Sequence, residues 1–247
     1  MNRIKQSGVL LLSGFLLAAC GETATDGNGD APADLADNWT EYIQEGNENL
    51  EDYSSDTQLN LVMDMGQGLM TDEDDAFIHA RIIGDLEQGY IDQGMGSLYF
   101  EGNDVYAYEG DTWNFYPDGG PIDYPSFYPN IVDSLVEIED FVEATHTDGS
   151  IELYYDGNDP EVWDAFEDEF ALSIDGVDEE NINIALEAVL DDENYYLQEF
   201  RMDILGEETD GDVQLGSINI QIDVDYFDHD NVDLSDIEAE VFEENGI

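Results

Sequence analysis

The sequence predicts an α+β fold: one domain after residue 34, built from about ten antiparallel strands and three helices. Three observations carry this expectation. Apolar and polar residues alternate with a period of two, most clearly at Ile182, Ile184, Leu186, Ala188 and Leu190, and again at Ile218, Ile220, Ile222, Val224 and Tyr226. Three other stretches repeat their apolar residues at helical spacing. Beyond residue 34 no linker is rich enough to divide the chain, and no repeat of solenoid length occurs.

The chain opens with Arg3 and Lys5, followed by a mostly apolar run at 8–19 and then Leu17-Ala18-Ala19-Cys20. This is the layout of a secretory signal. The run is too short to span a bilayer core of about 30 Å, which takes about 20 helical residues. Cys20 is the only cysteine and so has no internal disulfide partner. Leu17, Ala18, Ala19 and Cys20 resemble the lipobox of bacterial lipoproteins, in which the cysteine takes a diacylglyceryl group and becomes the mature N-terminus. Two or more acyl chains hold a protein stably on a membrane. The alternatives are an ordinary cleaved signal with a chance cysteine, or an uncleaved amphipathic anchor. The expected division is therefore a signal peptide at 1–19, a lipidated Cys20 with a flexible tether at 20–34, and a folded domain at 35–247. The membrane is the expected partner, reached through Cys20 on the extracytoplasmic face of the cell envelope.

The tether, GETATDGNGDAPAD, is small and polar and would reach on the order of 20 Å as a coil. Residues 26–30 superficially resemble the opening of a calcium loop, but Ala31 and Asp37 stand where that loop needs glycine and glutamate. From Leu35, apolar residues at Trp39, Tyr42, Ile43, Leu50 and Tyr53 predict a helix bent or interrupted near Gly46. Leu59, Leu61, Met63 and Met65 then alternate as a strand. Further strands are expected at 76–83, 96–100, 105–108 and 112–116, separated by turn sequences. Four prolines at 117–129 make a loop, and Ile131, Leu135, Ile138 and Val142 mark a second helix. After a strand at 150–155, Asp159-Pro160 opens a third helix as N-cap and first helical residue. Strands at 182–190, 195–205 and 218–226 follow, and the acidic stretch 231–247 is expected to be an extended edge segment.

All 63 acidic residues follow Cys20, while only Arg81 and Arg201 remain of the basic ones, a formal charge of −61 for the mature chain. Nucleic acid is excluded as a partner, because its affinity comes from cations meeting phosphates. On a folded surface of roughly 10,000 Å², charges roughly 13 Å apart repel at 0.1 M salt and are screened at 1 M. A salt-adapted, halophile-type surface is the expectation, with an alkaline habitat as the competing origin. The apolar fraction of 42% argues against disorder.

His79, His146 and His229 are scattered, without zinc spacing. No nucleophile elbow, phosphate loop or dinucleotide fingerprint occurs. With 63 acids, no carboxylate pair stands out as acid and base. No catalytic residue, metal site or cofactor is expected. Tyr99, Phe100, Tyr106, Tyr108, Trp113, Phe115 and Tyr116 concentrate in a double hairpin, after Met63, Met65, Met70 and Met95. Either they pack a core, or a strongly curved sheet leaves a cavity that they line.

A lipobox, a polar tether, a first helix ending near Tyr53-Ser54-Ser55 and an alternating strand precede Leu98-Tyr99-Phe100-Glu101-Gly102-Asn103-Asp104-Val105-Tyr106-Ala107-Tyr108-Glu109-Gly110-Asp111-Thr112-Trp113. Over residues 35–242 this order resembles the LolA/LppX-like group of bacterial lipoproteins, with Asn114 where relatives often carry lysine. The resemblance implies a half-barrel: one strongly curved antiparallel sheet with about three helices on its concave side. It also implies binding or carriage of a lipid or similar hydrophobic ligand, and supplies no catalytic residue. From strand parity, the candidate lining residues are Leu59, Leu61, Met63, Ile218, Ile220 and Ile222, with Trp113 at a hairpin. The alternative is a structural or interaction lipoprotein with a filled core and no ligand; an enzyme is the least supported reading.

Overall fold

The computed structural model describes residues 35–64, 71–84, 87–94, 96–119, 128–147, 149–167, 170, 177, 181–210 and 213–245. The chain divides into Met1–Ala31 and Pro32–Ile247, and every described element belongs to the second unit. The signal segment, Cys20 and its tether, residues 26–30, and Met65, Met70 and Met95 lie outside the described residues.

Eleven strands form one antiparallel sheet: β1 (Asp52–Asp64), β2 (Thr71–Ile83), β3 (Gln88–Asp92), β4 (Ser97–Glu101), β5 (Asp104–Glu109), β6 (Thr112–Tyr116), β7 (Glu143–Thr147), β8 (Ser150–Gly157), β9 (Ile182–Asp191), β10 (Leu197–Asp210) and β11 (Val213–Phe227). Their spatial order is β6-β5-β4-β3-β2-β1-β11-β10-β9-β8-β7. Two sequential meanders therefore meet at a central seam, where β1 pairs with β11 from Ser54↔Phe227 to Asp64↔Ser217.

The expected half-barrel is not formed. The sheet is open, with β6 and β7 as its two edges, and it is not strongly curled. Strong curl is introduced by bulges inside strands. Here β1 pairs with β2 and β11 without a shift, and the irregularities of β10 sit toward its ends, at Leu197/Glu199 and Glu208/Thr209. A sheet that need not close on itself buries its apolar face under a second layer of helices.

That layer consists of a 3-10 turn (Ala36–Asn38), α1 (Trp39–Asn49), α2 (Tyr128–Glu137) and α3 (Pro160–Glu167). In α1, Trp39, Ile43 and Gly46 fall on one face and are buried. In α2, Tyr128, Ile131, Val132 and Leu135 do the same. At the start of α3 the Asp159 carboxylate accepts from the Glu161 N–H at 3.1 Å, capping a helix whose first residue, Pro160, has no N–H to satisfy. The Ser134 hydroxyl donates to the Ala165 carbonyl at 2.8 Å and ties α2 to α3. Beneath them, Tyr155, Leu186, Met202 and Ile222 lie side by side across β8, β9, β10 and β11, all buried. Burying side chains of this size is worth about 1.5–3 kcal/mol each.

A fourth helix, α4 (Ser235–Asn245), replaces the edge segment expected at 231–247. Leu234, Ile237, Val241 and Phe242 pack on Tyr99, Tyr106 and Trp113 in a second cluster. Phe100 and Val105, of the opposite parity, belong to the main core. In β3–β5, then, successive residues feed two different cores, and both faces of the sheet are covered there.

Candidate functional site

Six of the seven candidate lining residues stand in facing pairs along the seam, Leu59↔Ile222, Leu61↔Ile220 and Met63↔Ile218. Burial falls along this row. Ile222 and Ile220 are buried, Leu59, Leu61 and Ile218 are half-buried, and Met63 is 40% exposed. Trp113 lies apart from them in the α4 cluster. The pairs do not face a void, because α1–α3 and the rings of Tyr53, Tyr128 and Tyr226 occupy that side of the sheet. Those three rings lie with centroids 5.1–5.8 Å apart. Tyr53 and Tyr128 each accept a backbone N–H, from Tyr128 at 3.1 Å and from Leu197 at 2.6 Å. Burial holds all three phenols well above their ordinary value.

Among the described residues, a recess beside Tyr53, Leu50 and Ile82 is about 20 Å³, room for a single water. An acyl chain does not fit there. The expected concavity for a hydrophobic ligand is overturned: the sheet is open, and its apolar face is packed under α1–α3.

The larger recesses are open to solvent, and the first of them is polar. That one, of about 780 Å³, lies between the β9–β10 turn and the segment after β11. Asp191 accepts from the backbone N–H groups of Glu193, Asn194 and Tyr196 at 3.0, 2.6 and 3.0 Å, and so shapes the turn. Asp230 accepts from the Glu51 N–H at 2.9 Å and from the Tyr196 hydroxyl at 2.7 Å. Burial, with Asp230 alongside, pushes the Tyr196 phenol up to about 12. His229 stacks on Tyr196 with centroids 5.0 Å apart, and its Nε2 lies 3.2 Å from the Leu197 carbonyl. That carbonyl accepts, which makes Nε2 the protonated nitrogen of the neutral ring. Burial lowers the imidazole from its ordinary value against the pull of Asp191, Asp230 and Asp228. Asp191 and Asp230 therefore organise backbone, and Asp230 also holds the Tyr196 hydroxyl. Among the described residues no group of three or more His, Cys, Asp or Glu is placed to hold a metal ion.

Both arginines of the domain are bound by acids. Arg81 donates to the Asp233 carbonyl at 2.9 Å and to Asp236 at 3.1 Å, and lies 5.1 Å over the Tyr90 ring, fastening the start of α4 to β2 and β3. Arg201 donates to the carbonyls of Phe200 and Val224, to Asp225, and sits against Asp223. At the far edge of the sheet, Phe115 and Tyr116 of β6 are 43% and 45% exposed. The sequence singled out this aromatic hairpin, but the parity that sends Trp113 under α4 and leaves β6 as an edge appears only with the topology.

No family model matches the chain, and no curated protein matches it. Among solved structures, the chain has a weak, partial likeness to a LolA superfamily protein from Nitrosomonas europaea, at 10% identity and a TM-score of 0.28, covering 82% of this chain and 96% of that one. A DUF1329 family protein from Desulfovibrio piger is similar at 10% identity and a TM-score of 0.24, covering 86% of this chain and 100% of that one. Likenesses at this level establish neither a shared fold nor a shared activity.

Proposed function

We propose that this chain is a lipid-anchored, non-catalytic protein of the cell envelope that works through its surface, with a filled core and no internal ligand. The observation that carries the reading is the packed layer of buried side chains between the sheet and α1–α3. The carboxylates of the polar recess, engaged with backbone and with Tyr196, favour a scaffold over an enzyme. Support for the anchor comes from Leu17-Ala18-Ala19-Cys20 behind a basic, apolar start. On this reading residues 1–19 are removed, 20–34 tether the protein, and 35–247 form the working domain. Among the described residues no helix is long and apolar enough to cross a membrane.

Metabolic labelling with a palmitate analogue tests the anchor: wild type takes the label and partitions with detergent, and Cys20→Ser does neither. Native mass spectrometry tests the core. The mass expected is that of the processed, acylated chain alone; a further lipid retained in fixed ratio by the domain, in wild type and Cys20→Ser alike, sinks the filled-core reading.

A further inference from the structure

The acidic residues of this chain avoid one place on the sheet. Every described strand carries at least one Asp or Glu except β6, whose sequence is Thr112-Trp113-Asn114-Phe115-Tyr116. Among the described residues no strand lies beyond it. Edge strands are ordinarily blunted by charge or cover, since their unpaired backbone groups invite another strand. The other edge follows that rule: β7 carries Glu143 and pairs His146 with Asp192, and the Ala36–Asn38 turn lies against it.

Backbone geometry decides which groups of β6 face outward. Glu109 pairs with Thr112 across a two-residue turn, and Gly110 and Asp111 have φ of 61° and 69°, as a type I′ turn requires. The pair closing such a turn is hydrogen-bonded, and pairs then alternate along the ladder. Ala107↔Asn114 and Val105↔Tyr116 are therefore bonded, while Trp113 and Phe115 turn their N–H and C=O groups away from β5. The Trp113 N–H indeed donates outward, to the Glu244 carboxylate of α4 at 2.9 Å. This leaves the Trp113 carbonyl and both backbone groups of Phe115 along the edge. Phe115, stacked on Tyr106 at 4.9 Å, lies on the α4 side, and the exposed Tyr116 lies on the other. Around this uncharged strip stand Glu109 and Asp111 at one end, Asp104 and Asp118 at the other, and Glu244 alongside.

We propose that β6 is a docking edge for an extended segment of a cationic partner, added to the sheet as a twelfth antiparallel strand, with β-branched or apolar residues against Phe115 and Tyr116 and lysine or arginine against the acidic rim. The proposal rests on the surface-acting reading above and supplies its place and partner chemistry. A second copy of the chain is disfavoured as the occupant, because it would bring one acidic rim against another.

The test uses the full-length chain in neutral detergent and a short peptide of alternating valine and threonine flanked by lysines. Expected results are saturable binding that weakens as salt is raised, and slowed amide exchange confined to residues 112–116. The peptide with glutamates for lysines should not bind. The same peptide N-methylated along one edge, which leaves the protein unaltered, should bind at least about tenfold more weakly, because it loses the backbone donors that an added strand needs. Phe115→Pro, which an edge tolerates and which removes the outward N–H together with the ring, should weaken binding by a similar factor; Phe115→Ala, which removes the ring and keeps that N–H, should lose less. Equal binding of the methylated and unmethylated peptides would mean charge alone and overturn the proposal. So would absent binding, or a dimer of the chain whose formation slows exchange at 112–116. None of these outcomes touches the labelling of Cys20 or the mass of the core.

Discussion

His229 is the residue whose titration the fold controls most visibly. Buried against Tyr196 and Leu197, it is held below the ordinary imidazole value, so the folded state favours the neutral ring. The unfolded chain takes up that proton at about pH 6.5. Its contribution to stability is therefore complete above that pH and is lost as the pH falls from there toward the lower folded value. His229→Gln keeps a donor for the Leu197 carbonyl and removes the titration. Urea midpoints measured from about pH 7 down to about pH 5 should fall more steeply for wild type than for the variant; parallel curves would show that the ring is not held neutral. Nothing in the sequence around Asp228-His229-Asp230 announces this. Burial beside Tyr196 lowers the value, and it outweighs the Leu197 carbonyl and the three nearby carboxylates, all of which favour the charged ring.

At the scale of elements, Gly46 shows how a tertiary contact overrides a helical rule. The sequence suggests a bend there, yet α1 runs on to Asn49 and Gly46 is buried within it. A Cβ at this position would run into the Tyr195 carbonyl of the β9–β10 turn, whose own φ is 62°. Gly46→Ala gains up to about 1 kcal/mol of helix propensity, and the backbone clash should outweigh it. We expect a net loss of about 1–3 kcal/mol, read as a lower thermal midpoint; an unchanged or raised midpoint would contradict the close approach. Elements with strong periodicity were legible from sequence: β9, β11, α2 and the Asp159-Pro160 start of α3. β3 was not, being five residues with Gly89 inside, nor was β7, whose Glu-Ala-Thr-His-Thr contains no large apolar residue. In α4 the signal existed, with Leu234, Ile237 and Val241 at helical spacing, but acids between them masked it. Alternation told which residues share a face. It could not tell that Phe100 and Tyr99 serve separate cores, which depends on a helix more than a hundred residues away.

For the whole molecule, the excess of acidic over basic residues predicts a fold that depends on salt. The domain has two arginines, both spent on carboxylates, so the remaining acids have only solvent cations to balance them. Circular dichroism should show a cooperative transition whose midpoint rises between about 0.05 M and about 2 M salt, as the screening length shrinks to a few ångströms; equal midpoints would remove repulsion as a factor. Composition made the charge excess legible, and pattern made the strand-rich class legible. Curvature was not, because period-two alternation is the same in a rolled sheet and an open one; in-register pairing and the helical second layer decide between them. The seam between the two meanders has a temporal consequence. β1 is made early and β11 late, with Ser54 and Phe227 about 170 residues apart. A nascent chain emerging amino end first can assemble β1–β6 locally, but its central strand waits with one side bare until nearly the whole polypeptide has been delivered. The architecture of such a chain locks only when the last strand arrives.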